Sequence, residues 1–343
     1  MKLSRVGVDL AKNVYQLHGV DCRGKTVWKR RLRRAQWLQA LLDKTDPGCE
    51  IGMEACTGAH HWARELQSRG YTVRLIAPQF VKPYVKSNKN DANDAEAICE
   101  AMSRPNMRFV TVKCVEQQDI QATHRVRTEL KNHRNAKGNQ IRGLVAEYGL
   151  VAPPSLLALR RAIPEWLEDA ENGLTDNFRC LLHGLWDDLL TLEDRFKVLD
   201  NAIEKLARSN EVTKRLQQLR GVGPIVATAL VATVGNGEQF SNGRQMAASL
   251  GLTPRQSSSG DKRRLLGISK RGDVYMRTQL IHGARAVVSQ AKNRDDPLSR
   301  WATDIAKRRH PNVAAVALAN KTARMAWAML QNETDYDPSL AVG

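Results

Sequence analysis

The chain lacks paired cysteines of metal-binding or redox spacing, an apolar run of membrane-spanning length, and a signal-type hydrophobic segment near its start. Its 6 cysteines, at positions 22, 49, 56, 99, 114 and 180, are scattered, with no C-x-x-C among them. That excludes zinc-ribbon and thioredoxin-like chemistry and fits reduced thiols in a cytosolic chain. The opening MKLSRVGVDLAKN has no h-region, so a cytoplasmic protein without membrane contact is expected. Acidic residues are scarce beside basic ones, 36 against 53, which leaves a formal charge of +17. Such an excess predicts salt-sensitive attraction to phosphate backbones. The cations come in blocks, which favours DNA or RNA as partner over a surface made basic for solubility alone.

The 343 residues, 42% hydrophobic with 7 Trp, suffice for two domains and a connector. Runs at 5–9, 14–20 and 26–33 read as a strand meander, followed by a helix over 36–44. A short buried strand at 49–54, a helix over 59–69 stopped by Gly70, and a strand at 71–76 follow. Residues 91–103 predict a helix with Ala95, Ile98, Cys99 and Met102 inward. An α/β domain over residues 1–108 is expected. Strand signals then vanish. Long helical patterns at 116–148, 155–172 and 178–208 predict a helical arm over 109–212, which could dimerise as a coiled coil. A mostly α-helical domain over 213–331 and a loose tail over 332–343 complete the organisation.

Carboxylates are conspicuous against this basic background. Asp9 ends the apolar strand Val-Gly-Val-Asp, and Glu54 ends Gly-Met-Glu, so the two can lie side by side at one sheet edge. Asp91 and Asp94 stand at i and i+3, on one helical face. Gathered acids repel the polyanion that the surface attracts unless divalent cations bridge them. Mg²⁺ takes oxygen ligands shared between carboxylates and a phosphate. Two ions, with Mn²⁺ as the substitute, could activate a nucleophile and stabilise a leaving oxygen. Asp91 reads equally well as a helix N-cap, and Asp94 as the acidic residue of a capping arrangement. That reading leaves Asp9 and Glu54 unexplained.

In the last domain, Leu219-Arg220-Gly221-Val222-Gly223-Pro224 before an apolar helix has the form of a helix-hairpin-helix. Gly221 and Gly223 would let backbone N–H groups approach a phosphate; an ordinary Gly-Pro turn is the equal alternative. Further on, Ser257-Ser258-Ser259-Gly260 is flanked by Arg255, Lys262, Arg263, Arg264, Lys270 and Arg271. Alone, this reads as a Ser/Gly loop with a solvated basic rim. A serine nucleophile needs its proton removed and cations around the transferred phosphate. The loop supplies the cations but no evident His base.

V-G-V-D-L-A-K, G-M-E-A-C-T-G and S-N-K-N-D-A-N-D-A-E-A, in that order, resemble the Asp-Glu-Asp-Asp blocks of IS110-type (IS1111 group) transposases. G-L-T-P-R-Q, S-S-G, G-I-S-K-R-G-D and R-T-Q-L are similar to the C-terminal transposase domain of the same family. The resemblance covers about two-thirds of the chain. It implies an RNase H-like, RuvC-like first domain in which Asp9, Glu54, Asp91 and Asp94 bind metal. Lys12 and Thr57 belong to the same blocks without an assigned role. The resemblance also implies a serine that becomes covalently linked to cleaved DNA. Ser259 is preferred, Ser258 is next, and Ser241 is weaker because it looks like a helix N-cap.

The function so implied is DNA cutting and rejoining at element ends and target by a homo-oligomer, dimer or tetramer, of the family's RNA-guided kind, in the bacterial cytoplasm and associated with the nucleoid. Arg127, Lys131 and Arg134 on the basic arm are the expected contacts for a structured guide RNA, on charge alone. Two other classes remain open. One is a structure-specific, RuvC-like endonuclease hydrolysing branched DNA with the carboxylates only. The other is a non-enzymatic nucleic-acid binder.

Overall fold

A computed structural model describes residues 2–85, 91–152, 154–259 and 262–339; the side chains of Asp91, Ala92, Ser259, Lys262 and Arg263 lie outside the description. The chain divides into two compact units, Met1–Cys114 and Val115–Gly343.

The first unit opens with a meander of β1 (Arg5–Leu10), β2 (Val14–Val20) and β3 (Thr26–Arg33). The β2–β3 turn is set by Asp21, whose carboxylate accepts the backbone N–H groups of Arg23 and Lys25. Then come α1 (Trp37–Leu42), β4 (Glu50–Glu54), α2 (Ala59–Gln67), β5 (Thr72–Ile76), α3 (Pro78–Val81), α4 (Asp91–Met102) and β6 (Phe109–Val110). The sheet runs β3-β2-β1-β4-β5-β6. β1, β4 and β5 are mutually parallel, while β2 is antiparallel to β1 and β3, and β6 to β5.

Period-two alternation divides the residues of these strands between two layers. Val6, Val8, Ile51, Met53, Val73 and Leu75 pack with Trp37 and Leu41 of α1 and with Ala59, Ala63 and Leu66 of α2. Ile98 and Met102 of α4 belong to a second apolar cluster with Ile76 and Val81. All four residues expected inward on α4 are buried: Ala95, Ile98, Cys99 and Met102. Helices on both sides of the β1–β4–β5 core leave Ile51, Gly52 and Met53 at the centre of β4 buried.

The second unit begins with α5 (Val115–Ala146), α6 (Leu156–Glu168) and α7 (Asp176–Ser209). Ile141 and Val145 of α5, Leu159 and Ile163 of α6, and Phe178, Leu182, Leu185 and Leu189 of α7 form one apolar cluster. The remaining elements are α8 (Glu211–Leu216), α9 (Pro224–Val234), α10 (Gly243–Ser249), β7 (Pro254–Ser259), β8 (Lys262–Ile268), α11 (Val274–Gln290), α12 (Pro297–Arg308) and α13 (Pro311–Asn332). α9 is apolar on every side, which marks a central helix. Its Val226, Ala227 and Leu230 pack with Met276 and Leu280 of α11 and with Leu318 and Ala319 of α13. Among the described residues, no helix is long and apolar enough to cross a membrane.

Two details depart from the sequence reading. Residues 254–259 and 262–268 form an antiparallel two-stranded hairpin where a Ser/Gly loop is expected. Alternation is hidden there because both faces are exposed. Ser241 does not cap α10. Asn242 does, accepting the Gln245 N–H at 3.0 Å, while the Gln245 side chain reaches back to the Ser241 N–H at 3.2 Å. The pair satisfies the Gln245 donor that the helix start leaves open and the Ser241 donor just before the cap.

Candidate active site

Asp9 and Glu54 each stand two residues beyond a glycine, Gly7 and Gly52. Strand alternation therefore puts each carboxylate on the sheet face of its glycine. Gly7 and Gly52 are register partners across the parallel β1–β4 pair. α4 lies directly on them: a Cβ at Gly7 would collide with the Ala95 carbonyl and one at Gly52 with the Met102 sulfur. Asp94 immediately precedes Ala95 on that helix. Two missing side chains thus let a helix carrying an acid settle beside the acidic ends of two strands.

The electrostatics follow from this placement. Burial, and then the charge of Asp94, push the Glu54 carboxyl above its ordinary range. Burial, followed by the charges of Glu54 and Asp9, pushes the Cys56 thiol up as well. Cys56 also ties the turn after β4 to the end of β1, its Sγ donating to the Leu10 carbonyl at 4.0 Å. Asp9, Glu54 and Asp94 therefore share one electrostatic neighbourhood. Asp91 opens α4 one turn before Asp94; its side chain lies outside the described set. Among the described residues, no three His, Cys, Asp or Glu side chains already form a group able to hold an ion. The donor chemistry nevertheless suits a hard divalent cation, because all the ligating atoms are carboxylate oxygens. A divalent cation would offset the like charge that raises the proton affinity of Glu54.

The serines occupy β7. Ser257 is paired with Arg264, Ser258 with Arg263 and Ser259 with Lys262. Gln256 donates to the Ser258 Oγ at 2.8 Å, as residues i and i+2 on one face can. Arg255, Ser257, Ser258 and Arg264 are exposed, as are Lys270 and Arg271 beyond β8. The base of the hairpin is clasped. Arg277, 7% exposed, donates from one Nη1 to the Leu250 carbonyl at 3.0 Å and the Arg271 carbonyl at 3.1 Å. A Cβ on Gly251 would strike the Arg271 carbonyl, and one on Gly272 the Ser249 carbonyl, so two backbone segments touch there.

The remaining sequence candidates fall in different settings. Gly221, at φ 81°, is pressed against Gly283 of α11, and a Cβ on either would meet the other's carbonyl. Gly223 is exposed, with nothing near its Cα face. Arg220 in the same turn donates to Asp296 at 2.5 Å and to the Ser299 hydroxyl at 2.7 Å. On the arm, Arg127 is buried, pairs with Asp200 at 2.5 Å and lies over Phe196, which Arg134 also covers. Lys131 is exposed.

Sequence inspection missed three features: the Gly7–Gly52 seat, the Arg277 clasp and a buried network around His124. The His124 ring bonds the Tyr275 hydroxyl at 2.8 Å and the Thr228 hydroxyl at 2.9 Å, linking α5, α11 and α9. Beside it is a cavity of about 310 Å³ bordered by Arg125, Thr128, Thr233 and Asp273. Arg125 belongs to the basic arm, but none of the candidate carboxylates or serines lines this cavity. A signal for the glycine seat was present, since both acids follow a glycine by two positions.

Comparison with known proteins gives a consistent answer. The family described as Transposase, of the IS110 DEDD type, matches residues 6–149. The Transposase IS116/IS110/IS902 family matches residues 213–298. The chain is 52% identical to a probable family 20 transposase of Pseudomonas aeruginosa, over 98% of this chain and 100% of that protein. It is 46% identical to the transposase for insertion sequence element IS1111A of Coxiella burnetii, covering 96% and 90% respectively. With the transposase for insertion sequence element IS1328 of Yersinia enterocolitica it shares 39% identity over 96% and 98%.

Proposed function

We propose a mechanism from the premise that this chain belongs to the IS116/IS110/IS902 family of transposases and is a DNA transposase. In this reading the first unit is RNase H-like, supported by its antiparallel meander leading into parallel strands with helices on both sides. Asp9, Glu54, Asp94 and Asp91 would hold Mg²⁺, which when bound would offset negative charge on a phosphodiester. The observation that carries the reading is the Gly7–Gly52 seat, which brings α4 with its Asp94 onto the sheet face that carries Asp9 and Glu54.

The hairpin supplies the nucleophile, Ser259 or Ser258. Its hydroxyl oxygen forms the new bond to phosphorus as the bond from phosphorus to a deoxyribose oxygen breaks. The hydroxyl proton leaves to a base, and the freed deoxyribose oxygen is protonated. The phosphate ester bond is conserved in the protein–DNA link, so rejoining needs no external energy source. Arg255 and Arg264 flank the serines and would stabilise charge on the transferred phosphate. Gly223 is the open backbone position of the Leu219–Pro224 turn for a helix-hairpin-helix contact with phosphate. Lys131, exposed on α5, serves an RNA guide better than Arg127, which is engaged with Asp200. The protein would work as a homo-oligomer in the bacterial cytoplasm.

The test is a denaturing gel after incubation with element-end DNA, Mg²⁺ and the transcript of the element's non-coding end. A covalent protein–DNA species is expected from the wild type. It should vanish in Asp9→Ala and in either Ser258→Ala or Ser259→Ala. Cleavage that persists without adduct in both serine variants would instead establish hydrolysis by the carboxylates alone.

A further inference from the structure

The β7–β8 hairpin has an unusual surface. Every described side chain from Pro254 to Ser258 and from Arg264 to Gly267 is exposed, so both faces of the ribbon meet solvent. A two-stranded ribbon that buries nothing is marginal by itself. Its composition, PRQSSS against KRRLLGI, contains four cations and no acid. That charge suits a polyanion. Phosphate contacts alone do not account for Leu265, 69% exposed, and Leu266, 38% exposed, at the middle of β8. Leucines flanked by arginine on a ribbon that faces water need an apolar receiver, and the apolar interior of a nucleic acid is its base stack.

We propose that the ribbon lies in a groove of duplex DNA and that Leu265 wedges between adjacent base pairs beside the scissile phosphate. The proposal rests on the serine reading above, and it identifies how the ribbon engages its substrate. Register gives the geometry, and it goes with Ser258 as the nucleophile, since Ser259 belongs to the other face. Leu265 is paired with Gln256, and the Gln256 side chain bonds Ser258, so Leu265 shares a face with Ser258. Two residues along a strand span about 6.6 Å, close to two base steps of about 3.4 Å each. Unstacking at that distance would bend the duplex and loosen the backbone that the serine must reach. Apolar wedges of this kind kink DNA at the step they enter. The Arg277 clasp and the Gly251 and Gly272 contacts give the ribbon a fixed base from which to press. Leu266 belongs to the opposite face and serves as the control.

The experiment uses the full chain with the element transcript and an element-end duplex carrying 2-aminopurine at successive steps around the cleavage position. Wild-type protein should raise the fluorescence several-fold at one step. Leu265→Ser should return it to the free-duplex level, and Leu266→Ser should leave most of it. Adduct formation by Leu265→Ser should fall at least tenfold on paired DNA and recover on a duplex mismatched at that step. An undiminished signal in Leu265→Ser overturns the proposal. So does a lower molar mass of Leu265→Ser in light scattering, which would make a second copy of the chain the occupant. The parent reading fails separately: wild-type unstacking without a serine adduct removes the nucleophile and supports the wedge. An adduct without unstacking overturns the wedge alone.

Discussion

Gly7 and Gly52 face each other across two parallel strands, and α4 rests on the bare backbone between them. The acidic site depends on that seat. Gly7→Ala would drive a methyl into the Ala95 carbonyl, and should cost about 3 kcal/mol because backbone must move. Gly52→Ala meets the end of a flexible methionine and should cost about 1 kcal/mol. Urea unfolding of both variants checks the order. Gly7→Ala should also lose metal-dependent cleavage out of proportion to its stability.

Metal-free Asp94→Asn should be more thermostable than the wild type, because Glu54 loses the like charge that raises its proton affinity. Adding Mg²⁺ should then raise the melting temperature of the wild type and do so much less for Asp94→Asn or Asp9→Asn. Equal Mg²⁺ responses in all three would refute the placement of the ion.

The His124 network predicts an acid-sensitive fold. Burial, with a smaller contribution from Arg127, lowers the His124 pKa from 6.5 to about 4. The unfolded chain therefore binds the extra proton first, between pH 6.5 and about 4. The stability tied to neutral His124 is complete above that window and is lost as pH falls through it. The loss reaches about 3 kcal/mol at its limit. Melting curves of wild type and His124→Gln should converge as the buffer is taken from pH 7 to pH 4.5.

Replacing Arg277 by Met should cost about 2–4 kcal/mol, since the Leu250 and Arg271 carbonyls would lose their shared donor. The same substitution should slow adduct formation while leaving DNA affinity nearly intact, because the clasp positions the ribbon without touching substrate. Kinetics at saturating DNA distinguish this from simple unfolding.

Much of the fold is legible in local pattern. The meander, the α4 face and the long helices follow from period-two and period-3.6 spacing, and their ends from Gly70 and the capping residues. The acids Asp9 and Glu54 stand out because carboxylates at the ends of apolar strands need a reason. The β7–β8 ribbon escaped because a strand with two wet faces carries no alternation. Arg127 looked like a free cation, yet its partner Asp200 is 73 residues away in sequence, a relation no local window contains. The clasp at Arg277 escaped similarly, since buried arginines bonded to carbonyls read as ordinary surface charge until the chain is folded.

The outer strand of the meander has a consequence of its own. β3 borders the sheet at one side, and three successive exposed cations, Lys29, Arg30 and Arg31, run along it. Open strand edges invite pairing with the edges of other chains. A row of like charges opposes that meeting between identical copies. Assemblies of this protein are therefore steered away from end-to-end sheet growth, and a concentrated preparation should stay dispersed at low salt and begin to associate as salt screens the row.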